Sequence, residues 1–542
     1  MFTSSSTAQA NNNIIGGSNS QSQPSGYLAG SGASMTSSVS ILESNLTHPN
    51  ALIWKLTLLT SISGFMFGYD TGYVSSILVT IGQDLTPGSY LSVEQKQWIT
   101  SATSVGAFIG SSLLLAGTLS DSIGRRKTLI LSDILFLAGA ITQFLSYSVT
   151  LMVLGRLIMG FGVGIGSLIA PLFISEFAPS KYRGKLVVVN CLCITGGQLI
   201  AYAIGALCKW RDVVLISCLP CGLQLIGLLL KGTTDTPRFL IMKGLQEEAF
   251  VALKTIYNNA DDSLISDAIM ELSMEYSSGE GKLSNFAKFR KGIRDIFSVG
   301  SNKRALVIGC GLQAAQQFVG FNSLMYFSTT IFKMVGYNNS TGVSCIIAGT
   351  NFLFTALALL IIDKIGRRRI LLISMPLLCA AQVLCAVSFY NLNINVDQQS
   401  AQAATTDINK WGIGILAGLV MFVAFYAIGL GSVPWQQSEL FPQNVRGIGT
   451  SLSTSTNWLG SMIIAACFLT LMQVLTPCGT FFLFASITLF FWVMVYLIYP
   501  EFGGLQLEEV QGLLKDKFDV KGSLELHEQR TGHTNNDGYT RI

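Results

Sequence analysis

The sequence has little charge and almost no histidine. Only 12% of its 542 residues are charged, and its three histidines, His48, His527 and His533, lie close to the two ends of the chain. A soluble domain carries about 25% charged residues, so the composition excludes an ordinary soluble protein of this length. The small net charge of +4 gives no reason to expect nucleic acid as a partner, and no histidine is placed to carry protons through an apolar core.

Signatures of enzymes are also lacking. The eleven cysteines fall almost entirely within apolar runs, where they usually serve packing, and the pair Cys218 and Cys221 lies in such a run too. The glycines between residues 155 and 166 follow no strand, so they indicate close packing of helices rather than a phosphate-binding loop. Because no nucleophile and no cluster of metal-ligating residues is visible, we expect no enzyme, no metal and no cofactor.

What the sequence has in abundance is apolar runs long enough to cross a bilayer, which takes about 20 residues. Half of its residues are hydrophobic, and its mean hydropathy is +0.51. Twelve such runs lie at residues 54–80, 98–119, 128–147, 151–174, 186–207, 212–230, 305–332, 343–362, 370–390, 411–434, 448–473 and 479–499. The predicted fold is an all-α membrane protein of twelve transmembrane helices in two six-helix halves, with cytosolic helices between the halves.

Two phrases occur once in each half. SEFAPSKYRG at residues 175–184 returns as SELFPQNVRG at 438–447, and DSIGRRK at 121–127 returns as DKIGRRR at 363–369. The chain is therefore a duplicated unit. We divide it into residues 1–50, a disordered tail; 51–230, the N-terminal half; 231–304, a linker with short helices; 305–500, the C-terminal half; and 501–542, a second tail.

The basic residues predict the orientation. The arginines of both repeated phrases lie on one side of the spans, which the positive-inside rule makes cytosolic. The opposite loops then face outward, and one of them holds overlapping glycosylation sequons at Asn338 and Asn339. We expect a multi-pass glycoprotein of the plasma membrane with both termini in the cytosol.

A few charged residues lie inside predicted spans, where each costs about 2.5–3.5 kcal/mol. Asp70 in the first span and Arg156 in the fourth can pair. The pair is either a structural ion pair or a switch, in which the proton occupancy of the carboxylate follows the movement of the arginine. Asp133, about one turn inside the third span, is expected to have a structural role at the helix end.

Polar uncharged residues form a candidate ligand site. Interhelical hydrogen bonds explain any one amide within a span. Many amides together with two indoles suit a neutral polyhydroxylated ligand better, because amides bind hydroxyl groups and indole faces cover C–H surfaces. These residues are Gln198, Gln313, Gln316, Gln317, Asn322, Asn351, Trp435, Asn457 and Trp458.

The repeated phrases supply a candidate gate at the cytosolic ends of the spans. Arginines and carboxylates of neighbouring helices can pair there. The pairs are either static or form a network that closes the cytosolic side and breaks as the two halves move. The candidate members are Asp121, Arg125, Arg126, Glu176, Arg183, Asp363, Arg367, Arg368, Glu439 and Arg446.

The chain resembles a known family from about residue 54 to residue 509. The phrases GYDTG, SEFAPSKYRG, QQFVGFN, DKIGRR, VPW and SELFPQNVRG are similar, in this order, to those of the sugar porter branch of the major facilitator superfamily, and most similar to the fungal myo-inositol transporters. The resemblance implies a midplane ligand site and proton-coupled alternating access. It makes Asp70 the proton acceptor and Arg156 its partner. It also implies a ligand site lined by Gln198, Gln316, Gln317, Asn322, Asn351, Trp435 and Asn457.

One departure from the family concerns its paired tyrosines. They are Tyr326 and Phe327 here, which leaves the hydroxyl of Tyr326 as a ligand contact. We expect a monomer in the lipid bilayer that imports myo-inositol together with a proton. The alternatives are a proton-coupled or facilitative transporter of hexoses or other polyols, for which the same amides are suited, and a non-transporting nutrient sensor on the same fold.

Overall fold

The computed structural model describes residues 41–42, 49–112, 118–230, 234–258, 260–280, 285–392, 410–434, 440–442, 445–503, 505 and 507–537. Every regular element in these residues is a helix. Most of the predicted N-terminal tail lies outside them, as do Trp435, Glu439 and the side chains of Arg183 and Asp363.

The helices form two successive groups with a helical linker between them. The first group is α1 (Ala51–Thr80), α2 (Val93–Gly110), α3 (Thr118–Ile123), α4 (Arg125–Phe144), α5 (Val149–Phe177), α6 (Ser180–Leu207), α7 (Trp210–Ile216) and α8 (Cys218–Leu229). The linker is α9 (Pro237–Met242), α10 (Gln246–Ile256), α11 (Asp262–Glu280) and α12 (Asn285–Ser298). The second group is α13 (Gly300–Phe318), α14 (Phe321–Val335), α15 (Ser340–Ile365), α16 (Arg367–Leu392), α17 (Lys410–Ile428), α18 (Arg446–Val474) and α19 (Thr476–Ile498). After them come α20 (Leu507–Leu513) and α21 (Val520–Asp537).

Ten of the twelve predicted spans appear as helical segments long and apolar enough to cross a membrane, with α7 and α8 together making one of them. The second span corresponds to α2, whose first turns contain charged and amide side chains and whose apolar continuation at residues 113–117 lies outside the described residues. The seventh span is interrupted.

The prediction of one continuous helix over residues 305–332 is wrong at Gly320. This residue has a left-handed backbone with φ of 88° and separates α13 from α14. A side chain at this position would also collide with the ring of Phe484, which lies 2.6 Å from the place of a Cβ atom. Glycine is therefore the residue that permits both the turn and the close approach.

Glycines on α5 bring its neighbours close. A Cβ at Gly160 or Gly164 would collide with backbone oxygens of α2, and one at Gly162 would meet the Ser132 carbonyl of α4 at 2.6 Å. The helices pack at backbone distance because no side chains separate them. The interpretation of this glycine run as a helix-packing face is confirmed.

The two groups of helices meet mainly along three pairs of elements. Helix α2 packs against α18, α6 against α15, and α1 against α14. Within the groups the largest contacts are those of α1 with α6, of α4 with α5, of α2 with α5, and of α16 with α19. Helices α4 and α16 each begin with an Arg-Arg pair at the same end of the bundle, and we call this end the arginine end. Helices α1 and α14 run away from it.

Candidate functional site

Asp70 and Arg156 form an ion pair in the interior of the first half. Arg156 Nη1 lies 2.9 Å from Asp70 Oδ1 and Nη2 lies 3.3 Å from Oδ2, so the guanidinium donates two roughly parallel hydrogen bonds. The exposed fraction is 2% for Asp70 and 0% for Arg156. The structure thus brings the two charged side chains of α1 and α5 together, as the sequence predicts.

Aromatic and amide groups support this ion pair. Arg156 Nη1 also donates to the Tyr73 hydroxyl at 3.2 Å, and its guanidinium carbon lies 5.6 Å from the centre of the Tyr73 ring. The Tyr73 hydroxyl donates to Gln143 of α4 at 3.0 Å. Three helices therefore hold the pair, while Arg156 Nε has no hydrogen-bond partner. A change in the charge of Asp70 would leave the guanidinium short of acceptors.

Asp133 is placed differently from the sequence expectation. It lies two turns inside α4, not at the helix end, with no exposed surface. Neither carboxyl oxygen of Asp133 has a hydrogen-bond partner. The Cys221 thiol donates to the backbone carbonyl of Asp133 at 3.2 Å. No helix-capping role is visible, because the side chain bonds no backbone N–H group.

Five amides of the second half form one connected network. Asn457 Nδ2 donates to Gln313 Oε1 and to Gln316 Oε1, both at 2.6 Å. Gln317 Nε2 donates to Asn457 Oδ1 at 3.0 Å, and Asn322 Nδ2 donates to Gln317 Oε1 at 2.7 Å. Helices α13, α14 and α18 are joined through these side chains. The amide nitrogens of Gln313 and Gln316 donate outside the network, to the carbonyls of Pro434 at 3.1 Å and Leu430 at 2.9 Å.

The other predicted ligand-site residues lie apart from this network. Gln198 of α6 accepts from Asn351 of α15 at 2.8 Å, a contact between the two halves. Trp458 is buried beside Phe67, with 5.2 Å between the ring centres. The Tyr326 hydroxyl lies 3.5 Å from Ser461 Oγ. The structure therefore groups the predicted residues into an amide network and separate contacts, of which those of Asn351 and Trp458 reach the first half.

Phe327, at the second of the family's paired tyrosine positions, has no hydroxyl group and packs against another aromatic ring. Its ring is buried and stacks on Phe468 of α18 with 5.5 Å between the ring centres. Tyr326, the neighbouring residue, carries the hydroxyl that reaches Ser461, and Ser461 in turn lies 3.0 Å from Ser104 of α2.

A cluster of hydroxyl groups between the halves has no counterpart in the sequence predictions. Ser75 Oγ of α1 lies 3.2 Å from Ser328 Oγ and 3.1 Å from Thr329 Oγ1 of α14. The Tyr202 hydroxyl of α6 lies 2.9 Å from Ser328 Oγ and donates to the Met325 carbonyl. We call these residues the hydroxyl lock. The run FSTT in α14 is the signal that could have indicated it.

At the arginine end of the first half, Arg125 joins two helices. Its guanidinium lies 3.0 Å from Glu176 Oε1 at the end of α5 and 3.1 Å from Asp121 Oδ1. Glu176 also accepts from the Thr236 hydroxyl. The predicted partners Asp121, Arg125 and Glu176 are thus brought together, whereas Arg126 donates to the Leu228 carbonyl at 2.8 Å.

Two carboxylates that the sequence analysis missed cap the Arg-Arg helices. Asp235 accepts from the backbone N–H groups of Arg125 and Arg126, and Glu501 accepts from those of Arg367 and Arg368. Negative charge is favourable at a helix N-terminus. Burial raises the pKa of Asp235. The hydrogen bonds that its carboxylate accepts from backbone N–H groups, and the charge of Arg125, lower the pKa and offset this rise only in part.

The second half repeats the contact of the second arginine as well. Arg368 donates to the carbonyls of Val495, at 2.7 Å, and Tyr496, at 2.8 Å, as Arg126 does to Leu228. Arg446 donates to the Phe441 carbonyl at 3.3 Å. In each half the second arginine of the Arg-Arg pair therefore binds the end of the last span of that half, α8 or α19.

The predicted glycosylation sites lie in the loop between α14 and α15. Asn338 and Asn339 are both exposed, and Asn339 Oδ1 accepts from the Gly342 N–H group at 2.9 Å, which caps α15. The part of the chain that the structure describes contains no group of three or more His, Cys, Asp or Glu side chains that could hold a metal ion.

Known proteins resemble the chain along most of its length. The family described as "Sugar (and other) transporter" matches residues 56–514. Myo-inositol transporter 1 of Saccharomyces cerevisiae is 50% identical over 483 residues, which cover 88% of this chain and 82% of the relative. Myo-inositol transporter 1 of Candida albicans is 46% identical over 511 residues, which cover 93% of this chain and 90% of the relative.

Solved structures share the fold. The proton:xylose symporter XylE bound to 6-bromo-6-deoxy-D-glucose, a protein of the major facilitator superfamily, has a TM-score of 0.70 and 25% identity, covering 86% of this chain and 100% of that chain. An inward open conformation of the xylose transporter XylE from E. coli has a TM-score of 0.67 and 25% identity, covering 85% and 100%.

Proposed function

We propose that this chain, which belongs to the sugar transporter family of the major facilitator superfamily, imports myo-inositol together with a proton. The family consists of transporters rather than enzymes, and its fold is the twelve-helix fold in two halves. The observation that carries the substrate is the amide network around Asn457, supported by relatives at 50% and 46% identity that are named for myo-inositol.

The amide network suits a ring of hydroxyl groups. Every amide offers both a donor and an acceptor, and each hydroxyl of a polyol can do the same. A substrate can therefore exchange the bonds that Asn457 makes with Gln313 and Gln316 for bonds of its own. Gln198, Asn351 and Tyr326 are proposed to complete the site from the interface between the halves, together with Trp435 and Trp458.

Proton coupling rests on the pair of Asp70 and Arg156. A carboxylate that neutralises a buried arginine is stable while charged, and protonation weakens the pair. We propose that proton binding to Asp70 releases Arg156 and lets the halves rearrange. One charge that crosses 100 mV supplies about 2.3 kcal/mol, which at about 1.4 kcal/mol per tenfold supports roughly a 50-fold substrate gradient.

The conformation described here is proposed to be closed to the outside. The hydroxyl lock joins α1 and α6 to α14, and Gln97 of α2 accepts from Thr470 of α18 at 3.1 Å. These bonds lie toward the end of the bundle opposite the arginine end. We place the arginine end in the cytosol by the positive-inside rule, so the hydroxyl lock is the outer gate. The arginine contacts at the cytosolic end each lie within one half and do not join the two halves.

The orientation has a direct test. Asn338 and Asn339 carry glycan only if their loop is outside, so enzymatic removal of glycan should increase gel mobility of the wild type. The double variant N338Q/N339Q should migrate as the deglycosylated protein. An unglycosylated wild type in cells that glycosylate other surface proteins would contradict the proposed outward loop.

The proposed transport is tested by uptake. Labelled myo-inositol is given to cells that lack their own inositol transporters, with and without a protonophore and with excess unlabelled glucose. We expect accumulation that the protonophore abolishes and glucose leaves in place. Entry of labelled glucose without entry of myo-inositol would move the substrate to hexoses, and saturable binding without uptake would favour a nutrient sensor.

A further inference from the structure

Helix α12 presents one packed face and one open face just before the chain enters the bundle. Gly292 is buried against Ile448 of α18, and Ile296 has no exposed surface. The helix ends at Ser298, and Val299 is the N-cap of α13. Its orientation on the bundle is therefore fixed by apolar packing on one side.

The open face carries two arginines and an aromatic ring. Arg290 and Arg294 are exposed, and 58% of Phe297 is exposed. At about 100° per residue, these three side chains point within about 60° of one another and away from the packed face. Asp295, the acidic residue of α12, is half-buried and points about 100° away from Arg294, so it does not neutralise this face.

The start of α13 places this face at the level of the membrane surface. Lys303 is exposed, and Val307, one turn further along the same side of α13, is 45% exposed. An exposed valine at the beginning of an apolar span faces lipid, so Lys303 lies where the helix enters the bilayer. Val299 is also 45% exposed. Phe297, six residues before Lys303, therefore lies close to the phosphate layer of the adjacent leaflet, and Arg294 and Arg290 lie one and two turns before it on the same face of α12.

We propose that Arg290, Arg294, Phe297 and Lys303 form a binding surface for anionic phospholipids. Arginine forks match phosphate oxygens, lysine adds a point charge, and an aromatic ring is stable at the boundary between headgroups and acyl chains. The occupant is a lipid headgroup and not a second protein chain, because the cations surround an exposed ring at the bilayer surface. This surface is independent of which polyol the protein transports.

The test measures binding of a fluorescent short-chain phosphatidylserine to the purified full-length protein in neutral micelles, with phosphatidylcholine of the same chain length as reference. We expect phosphatidylserine to bind more tightly, with a preference that falls as salt rises. At about 1 kcal/mol per cation and 1.4 kcal/mol per tenfold, R290A/R294A should lose about 30-fold in phosphatidylserine affinity. R290K/R294K should keep most of it, and F297A should weaken both lipids.

The matched control is K517A/K521A, which removes two exposed cations between α20 and α21 and at the start of α21. It should keep the preference for phosphatidylserine. Equal binding of the two lipids to the wild type, or an equal loss in the control variant, overturns the proposal. Competition by glycerophosphoserine as strong as that by the lipid would show an anion site without a membrane function and overturn it too. If R290A/R294A does not fold, the salt dependence of the wild type decides.

Discussion

Asp235 and Glu501 hold the same place in the two halves of the molecule. Each carboxylate lies just after the last helix of its half and accepts from the first two backbone N–H groups of an Arg-Arg helix, at 3.1 and 3.3 Å for Asp235 and at 2.9 Å twice for Glu501. In each half, the end of the last span is thereby fixed to the start of the third span of the same half. The duplication in the sequence is also a duplication of this contact.

Removal of the charge from Glu501 should destabilise the second half. E501Q keeps the size of the side chain but offers one acceptor oxygen where the carboxylate serves three N–H groups, those of Arg367, Arg368 and Gly503. We expect a loss of about 1–3 kcal/mol, since the bonds are buried and charge-assisted. D121N is the matched control, because Asp121 is 56% exposed and its pair contributes about 0–1 kcal/mol. Equal melting temperatures of the two variants would contradict this prediction.

Replacement of Asp70 should uncouple transport from the proton. D70N removes the charge that pairs with Arg156, so we expect loss of uphill accumulation while downhill exchange of labelled myo-inositol continues at least in part. D133N is the control, because Asp133 is equally buried but has no cationic partner. Accumulation by D70N at the wild-type level, or its loss in D133N, would remove Asp70 from its proposed role.

Loss of the hydroxyl lock should open the outer side. S75A with Y202F removes two hydroxyl groups whose hydrogen bonding contributes about 0.5–1.5 kcal/mol each, so a total of about 1–3 kcal/mol shifts the population of outward-open molecules by about 5- to 150-fold. The distance between spectroscopic labels at Tyr90 and Asn338, both exposed on loops of different halves, should lengthen. S76A is the control, since Ser76 is buried without a partner. An unchanged distance in the double variant would exclude the lock as the gate.

Asn457 should determine substrate affinity. N457A removes the residue that three glutamines share, and we expect the half-saturating concentration of myo-inositol to rise at least tenfold, as about 1.4 kcal/mol of lost binding implies. Q382A is the control, because Gln382 of α16 is a buried glutamine bound to the Val319 carbonyl and Thr488. It should lower stability without changing that concentration. A similar change in both variants would mean that the network is structural.

The features that the sequence predicts well are those that are rare inside an apolar chain. Asp70 and Arg156 stand out because a charge within a span needs a partner, and the amides around Asn457 stand out in the same way. The repeated phrases are visible by inspection. The helix bundle follows from the length of the apolar runs alone.

Other features depend on residues whose type gives no such signal. Hydroxyl side chains in spans often bond their own helix, as Thr71 does to the Phe67 carbonyl at 3.0 Å. The sequence therefore does not distinguish Ser75, whose hydroxyl bonds the other half of the molecule, from hydroxyl side chains that bond their own helix. Asp235 and Glu501 lie more than a hundred residues from the helices they cap, and no pattern along the chain connects them.

If the amides around Asn457 bind the substrate as proposed, their hydrogen bonds to one another also set a minimum number of hydroxyl groups for that substrate. A guest that breaks the bonds among Gln313, Gln316, Gln317 and Asn457 must supply a replacement for each of them, since every amide left unpaired there costs about 1–3 kcal/mol. Deoxy analogues should therefore be rejected in proportion to the hydroxyls they lack.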